Sequence, residues 1–298
     1  MSRVAILGCG YVGLELGRQL NDDHEVVGVR RSESGRRAIE GAGFEAVEAD
    51  VTDDDSLSAV PDADWLVFAA SSGGRGAEAA REVYVEGLET AIDHFWARED
   101  APERLVYTSS TGVYGDHDGD WVDEDAALRP ATPKAEVLVE AERVARSAVE
   151  YGVEPTVARL GGVYGPGRYR IERYLERPVT EGYLNLVHRD DAGGALRFLL
   201  ERGAAGRDVP ETLLVVDDEP VWKPALSAWL AEACGVEPPP VRTLEERLAD
   251  EDLAEGSRRR LRGQKRCSND RLRELGYDLA YPTFRAGYLD AVEAYLAD

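Results

Sequence analysis

The chain has 298 residues, room for one large α/β core with a smaller appendage, and its formal charge of −23 argues against nucleic acid or anionic membrane as a partner, because that surface repels both. No basic-plus-apolar leader precedes the first strand and no apolar run approaches the length of a bilayer, so a soluble, cytoplasmic protein is expected. Three cysteines, Cys9, Cys234 and Cys267, are odd in number and lack ligand spacing, which indicates neither a disulfide framework nor a metal site. Lysine occurs only at Lys134, Lys223 and Lys265. An acidic surface so poor in lysine suggests adaptation to high salt, the alternative being an ordinary acidic protein from a high-GC genome.

In chain order, Val4–Leu7 is a short apolar strand that runs into Gly8-x-Gly10-x-x-Gly13 and then a helix over Tyr11–Leu20. The spacing has a chemical reason. Gly8 allows the tight strand-to-helix turn, Gly10 lets backbone approach a pyrophosphate, and Gly13 lets the helix pack on the strand. The helix N-terminus adds N–H groups and partial positive charge for that anion. Strands follow at 24–29, 44–48 and 64–70, with a helix at 34–40 and a long one over 77–98 striped by Ala80, Val83, Tyr84, Leu88, Ile92 and Phe95. A fifth strand at 104–108, a helix at 135–151 and a sixth strand at 156–160 continue the alternation, which implies a parallel sheet covered on both faces. Beyond Gly167 the pattern loosens: a strand at 183–187, a helix at 190–201, a strand at 213–216, a helix at 220–234, a charged helix at 243–261 and a closing helix at 284–296. The two long helices, 77–98 and 135–151, suit either a homodimer face or a cover for the sheet.

The end of the second strand bears on the cofactor. An acid usually stands there to hold the ribose hydroxyls of NAD, whereas this chain has Arg30, Arg31 and Ser32. Two guanidiniums suit a 2′-phosphate, so NADP is expected in preference to NAD. Asp50, beside Val51, ends the third strand where an aspartate can meet the adenine amino group or simply cap a turn. Ala69, Ala70 and Ser71 close the fourth strand with small side chains, as close approach of a cofactor requires. The loop over 71–76 suits a lid or a phosphate contact. His117 and the acids around it read as a solvated loop rather than a metal site, and no hydrolase motif is present.

Three runs now carry a resemblance: the glycine loop, Val106-Tyr107-Thr108-Ser109-Ser110-Thr111-Gly112-Val113-Tyr114-Gly115, and Arg159-Leu160-Gly161-Gly162-Val163-Tyr164-Gly165-Pro166-Gly167-Arg168. They resemble the extended short-chain dehydrogenase/reductases, the group that includes epimerases and dehydratases of nucleotide sugars. The run Asn185–Ala192 is similar to a later motif of that group. The resemblance implies a doubly wound parallel (Rossmann) sheet over residues 1–167, rejoined by 183–202, and a small C-terminal α/β substrate region over 168–298. It also implies cofactor contacts at Tyr11, Val12, Ser109, Lys134, Leu160, Gly161 and Val163, and substrate contacts at Thr111, Tyr164, Arg168, Asn185 and His188. By the same resemblance Ser110 orients the substrate oxygen and Lys134 lowers the pKa of a catalytic tyrosine four residues earlier. That position holds Pro130, which cannot transfer a proton. The departure is similar to an atypical, YeeZ-like subgroup without the tyrosine, and Tyr114 is the first substitute donor to consider, with Thr132, Tyr164 and His188 as alternatives. The expected function is an NAD(P)-dependent oxidoreductase or epimerase acting on a sugar-like or small carbonyl substrate. The alternative is a non-catalytic NADP-binding sensor or scaffold.

Overall fold

Apolar runs in the first three-quarters of the chain build one seven-stranded sheet. In the computed structural model its strands are β1 (Arg3–Leu7), β2 (Glu25–Arg30), β3 (Glu45–Glu48), β4 (Trp65–Phe68), β5 (Arg104–Ser110), β6 (Thr156–Leu160) and β7 (Thr212–Val215), in the order β7-β6-β5-β4-β1-β2-β3. Pairings from β3 through β2, β1 and β4 to β5 are all parallel. On β6, the Val157 N–H bonds Glu211 O (2.8 Å) and the Gly161 N–H bonds Val215 O (3.0 Å), so the bonds advance along both strands together. β1 lies inside the sheet between β4 and β2, and Val4 to Leu7 are fully buried, as a strand covered on both faces requires. The chain leaves β1 toward β2 and β3 on one side and returns to β4 on the other. The resulting switch point, at the carboxyl ends of β1 and β4, is where open α/β sheets bind ligands.

The structure describes residues 1–72 and 76–297. The lid or phosphate contact expected of the 71–76 loop therefore falls partly on Gly73, Gly74 and Arg75, outside the described residues. Helices α1 (Tyr11–Leu20), α2 (Glu33–Glu40), α3 (Ala77–Arg81), α4 (Gly87–Trp96), α5 (Pro133–Ser147) and α6 (Arg189–Ala204) accompany the sheet. The long helix expected over 77–98 is interrupted by a π-turn at Glu82–Glu86, which separates α3 from α4. Among the described residues no helix is long and apolar enough to cross a membrane.

Contacts divide the chain into two units. The first comprises Met1–Ser110, Pro133–Arg159 and Ala192–Leu213. Its core joins Ala5, Leu7, Val27, Leu66, Phe68, Leu88, Phe95 and Leu105 to Val137, Ala141 and Val157. The second comprises Thr111–Thr132, Leu160–Asp191 and Leu214–Asp298. It gathers short ladders, α7 (Lys223–Cys234) and α8 (Phe284–Ala297) around Tyr164, Leu175, Leu226, Leu230, Phe284 and Tyr288.

Two expected elements are each split in two. The single strand over 183–187 is two: Tyr183–Leu184 pairs antiparallel with Val221–Trp222, and Leu186–His188 pairs parallel with Gly162–Tyr164. Asn185 separates them, because its side-chain amide accepts from the Cys267 N–H (2.6 Å) and donates to Lys265 O (3.2 Å). The helix over 243–261 is also two, Leu244–Leu248 and Glu255–Arg262. Between them the Asp250 carboxylate accepts the Asp252 N–H (3.3 Å), a local turn that competes with the helix.

Candidate dinucleotide site

Gly8 follows β1 with φ +80°, and a Cβ there would collide with the backbone of Ala70. The residue must be glycine for both reasons. The Gly8 and Cys9 N–H groups bond Val29 O at 3.2 and 3.0 Å, tying the turn to β2. Gly10 caps α1 without a side chain, so an anion there meets backbone. At Gly13 a Cβ would stand 3.0 Å from Ile6 Cγ2, the close helix-on-strand packing that the spacing foretells.

Beyond this turn lies a cavity of about 360 Å³ lined by Gly8, Val29, Arg30, Arg31, Ser32, Ala49, Asp50, Val51, Ala70, Ser71 and Val83. The structure thus brings the glycine turn together with the ends of β2, β3 and β4. A Cβ on Gly10 would be 2.8 Å from Arg30 Nη1, so the Arg30 guanidinium lies against the loop. Arg31 Nη1 is 3.7 Å from Asp50 Oδ2, which makes Asp50 a counter-ion in the cavity wall. The other Asp50 oxygen holds its own turn, accepting from the Thr52 N–H (3.1 Å) and hydroxyl (2.9 Å). Ser32 caps α2, its hydroxyl accepting the Gly35 N–H at 3.3 Å. Glycine backbone at a helix start, flanked by two guanidiniums, fits the diphosphate and ribose-phosphate part of a dinucleotide.

Next in the chain to Val83, which lines the cavity, stands a residue of the expected apolar stripe. Tyr84 lies in the π-turn, buried, and its hydroxyl accepts from the Ser72 N–H (3.3 Å) and the Ser72 hydroxyl (3.4 Å). The Lys134 ammonium, from the first turn of α5, sits 5.4 Å from the Tyr84 ring centroid. Burial pushes the phenol's pKa up, but the Ser72 bonds and the Lys134 charge and hydrogen bond outweigh it, and the net shift is downward.

The sequence pattern of the NAD dependent epimerase/dehydratase family matches residues 4–208. The chain belongs to that family. It is similar to the protein YeeZ of Escherichia coli K12, 29% identical over 290 residues that span 95% of this chain and 97% of YeeZ. A functionally unknown conserved protein from Silicibacter pomeroyi, also 29% identical, superposes with a TM-score of 0.77 over 99% of both chains. DesIV, a dTDP-glucose 4,6-dehydratase of Streptomyces venezuelae solved with NAD and TYD bound, shares the fold at a TM-score of 0.80 and 21% identity, over 99% of this chain and 97% of DesIV.

The remaining family positions are distributed between the units. Ser110 ends β5 in the first unit, and Lys134 begins α5 there. Ser109 is committed inward: its hydroxyl donates to Glu142 Oε1 at 2.7 Å. Pro130 precedes α5, which starts at Pro133, so residues 130 and 134 do not share a helical turn. Tyr114, in the 3₁₀ turn Thr111–Tyr114 of the second unit, is fully buried and edge-on to the His117 ring at 6.4 Å. Leu160, Gly161 and Val163 also belong to the second unit, and a Cβ on Gly161 would stand 2.7 Å from Asn185 O. Arg168 is exposed, while Thr111, Tyr164 and His188 are buried. His188 lies 3.8 Å from the Tyr281 ring, Tyr164 stacks on Tyr288 at 4.9 Å, and burial lowers the His188 pKa.

Proposed function

We propose that the chain is an NADP-linked oxidoreductase or epimerase of the epimerase/dehydratase type, acting in the cytoplasm on a sugar-like or small carbonyl substrate. The observation that carries this reading is the cavity at the switch point, where the glycine turn meets Arg30, Arg31 and Asp50. In this reading the Gly8–Gly13 backbone and the start of α1 hold the pyrophosphate, with Tyr11 and Val12 in its first turn. Arg30 and Arg31 take the 2′-phosphate, and Asp50 and Val51 flank the adenine. When bound, the nicotinamide supplies two-electron redox chemistry. Ser110 orients and polarises the substrate oxygen, while Lys134 provides fixed positive charge beside it. Arg168, exposed in the second unit, suits an anionic substrate group such as a phosphate. DesIV, a dehydratase of a nucleotide sugar, supports the sugar-like substrate class by fold alone.

The non-catalytic alternative draws on one observation, the proline at position 130 outside any helix. Absorbance of the reduced nicotinamide across a panel of nucleotide sugars, aldehydes and ketones separates the two. Turnover that falls on the order of 10²-fold in Ser110→Ala supports the enzyme. Firm NADP binding with no turnover of any compound supports the sensor.

A further inference from the structure

We infer that Tyr84 is the proton-exchanging hydroxyl of this site, with Lys134 and Ser72 as the residues that position its phenolate. The inference deepens the enzymatic reading and rests on it. Four observations converge. Ser72 and Tyr84 adjoin the cavity through their chain neighbours Ser71 and Val83, which line it. The Tyr84 oxygen accepts two bonds from Ser72, one from its N–H at 3.3 Å and one from its hydroxyl at 3.4 Å. Lys134 brings a cation to the same ring at 5.4 Å, and this is one of only three lysines in the chain. The ring sits in a π-turn, a helix irregularity frequent at functional sites.

A phenylalanine would fill the same core volume, so packing alone gives no reason for the hydroxyl. A hydroxyl that accepts from a backbone N–H and a serine, with an ammonium over its ring, is arranged for its anion rather than its neutral form. The net downward displacement of its pKa, against the effect of burial, agrees with that arrangement. A neutral-pH proton exchanger needs this property, and Pro130 cannot supply it.

In the oxidative direction the O–H bond of a substrate hydroxyl breaks and its proton passes to the Tyr84 oxygen. The freed electron pair becomes the second carbon–oxygen bond, and an oxidised nicotinamide, when bound, would accept the hydrogen on that carbon with its two bonding electrons. Substrate is oxidised, cofactor reduced, and reversal returns both.

The test has two arms. Near-ultraviolet absorbance of the cofactor-free protein, followed against pH, reports phenolate formation. Wild type shows one tyrosine ionising below the ordinary phenol range. That step disappears in Tyr84→Phe and moves upward in Lys134→Met and in Ser72→Ala, with circular dichroism confirming that each variant is folded. In the second arm Tyr84→Phe lowers kcat on the order of 10²-fold or more while the NADP dissociation constant stays within about threefold. Superimposable titrations of wild type and Tyr84→Phe overturn the proposal. So does wild-type turnover in Tyr84→Phe, or a loss confined to Tyr114→Phe. A wild-type protein that binds NADP and turns over nothing contradicts the enzymatic reading and the proton role together, while the titration still reports whether Lys134 and Tyr84 are paired.

Discussion

At Asp217 a carboxyl is 1% exposed, and its Oδ2 has no hydrogen-bond partner among the described residues. Burial, with Glu219, Asp218 and Asp191 nearby, raises its pKa from 3.8 to about 8, although Oδ1 accepts the Glu219 N–H at 3.3 Å. The folded state therefore keeps a proton that the unfolded chain releases above pH 4. That proton's contribution to stability is complete below about pH 4 and is lost as pH rises toward 8, by up to about 1.4 kcal/mol per unit. Asp217→Asn keeps an oxygen for Glu219 and removes the charge. Urea unfolding at pH 5 and pH 8 should show the variant gaining stability over wild type at the higher pH; a wild-type stability unchanged between the two would contradict the shift. At this same scale lies most of what the sequence hides. Arg30, Arg31 and Asp50 are legible because strand ends and motif spacing locate them. Tyr84 is not, since it occupies one position of an apolar helical stripe, and nothing in linear order brings it to Lys134, fifty residues away.

Helix α5 presents Lys134 and is fixed by a carboxylate further along it. Glu142 is fully buried, receiving the Ser109 hydroxyl at 2.7 Å, Arg159 Nε at 2.9 Å and Arg159 Nη2 at 2.7 Å, with Arg146 at 3.3 Å. The helix is thereby joined to β5 through Ser109 and to β6 through Arg159. Glu142→Ala leaves the 3% exposed Arg159 guanidinium without its counter-ion, and the expected cost is about 3–5 kcal/mol in urea unfolding. Glu140→Ala, a change on the same helix that removes the surface partner of Arg81 of α3, should cost far less. Equal losses would show that the buried network does not hold the helix. The strands and helices of the first unit follow from apolar periodicity, because each buries one face on one sheet. The second unit's two- and three-residue ladders do not, because they depend on distant pairings such as Trp121–Val122 with Arg266–Cys267. The π-turn also escapes periodicity, which continues across it.

Across the whole molecule, the sheet order and the charge make one argument. The order places the ends of β1, β2, β3 and β4 around a single cavity, and two arginines face it in a chain whose net charge is −23. In so acidic a protein, a local pair of guanidiniums is what attracts an anionic ligand. Asp50 limits this at Arg31, where it supplies a counter-ion at 3.7 Å that a bound phosphate must share. Calorimetric titration of NADP and of NAD into the wild-type protein and into the Arg30→Ala, Arg31→Ala double variant tests the account most directly. NADP is expected to bind about tenfold more tightly than NAD, near 1.4 kcal/mol, and the double variant to lose that preference while still binding NAD. Wild-type protein that binds NAD as tightly as NADP, or a double variant that keeps the preference, would contradict it.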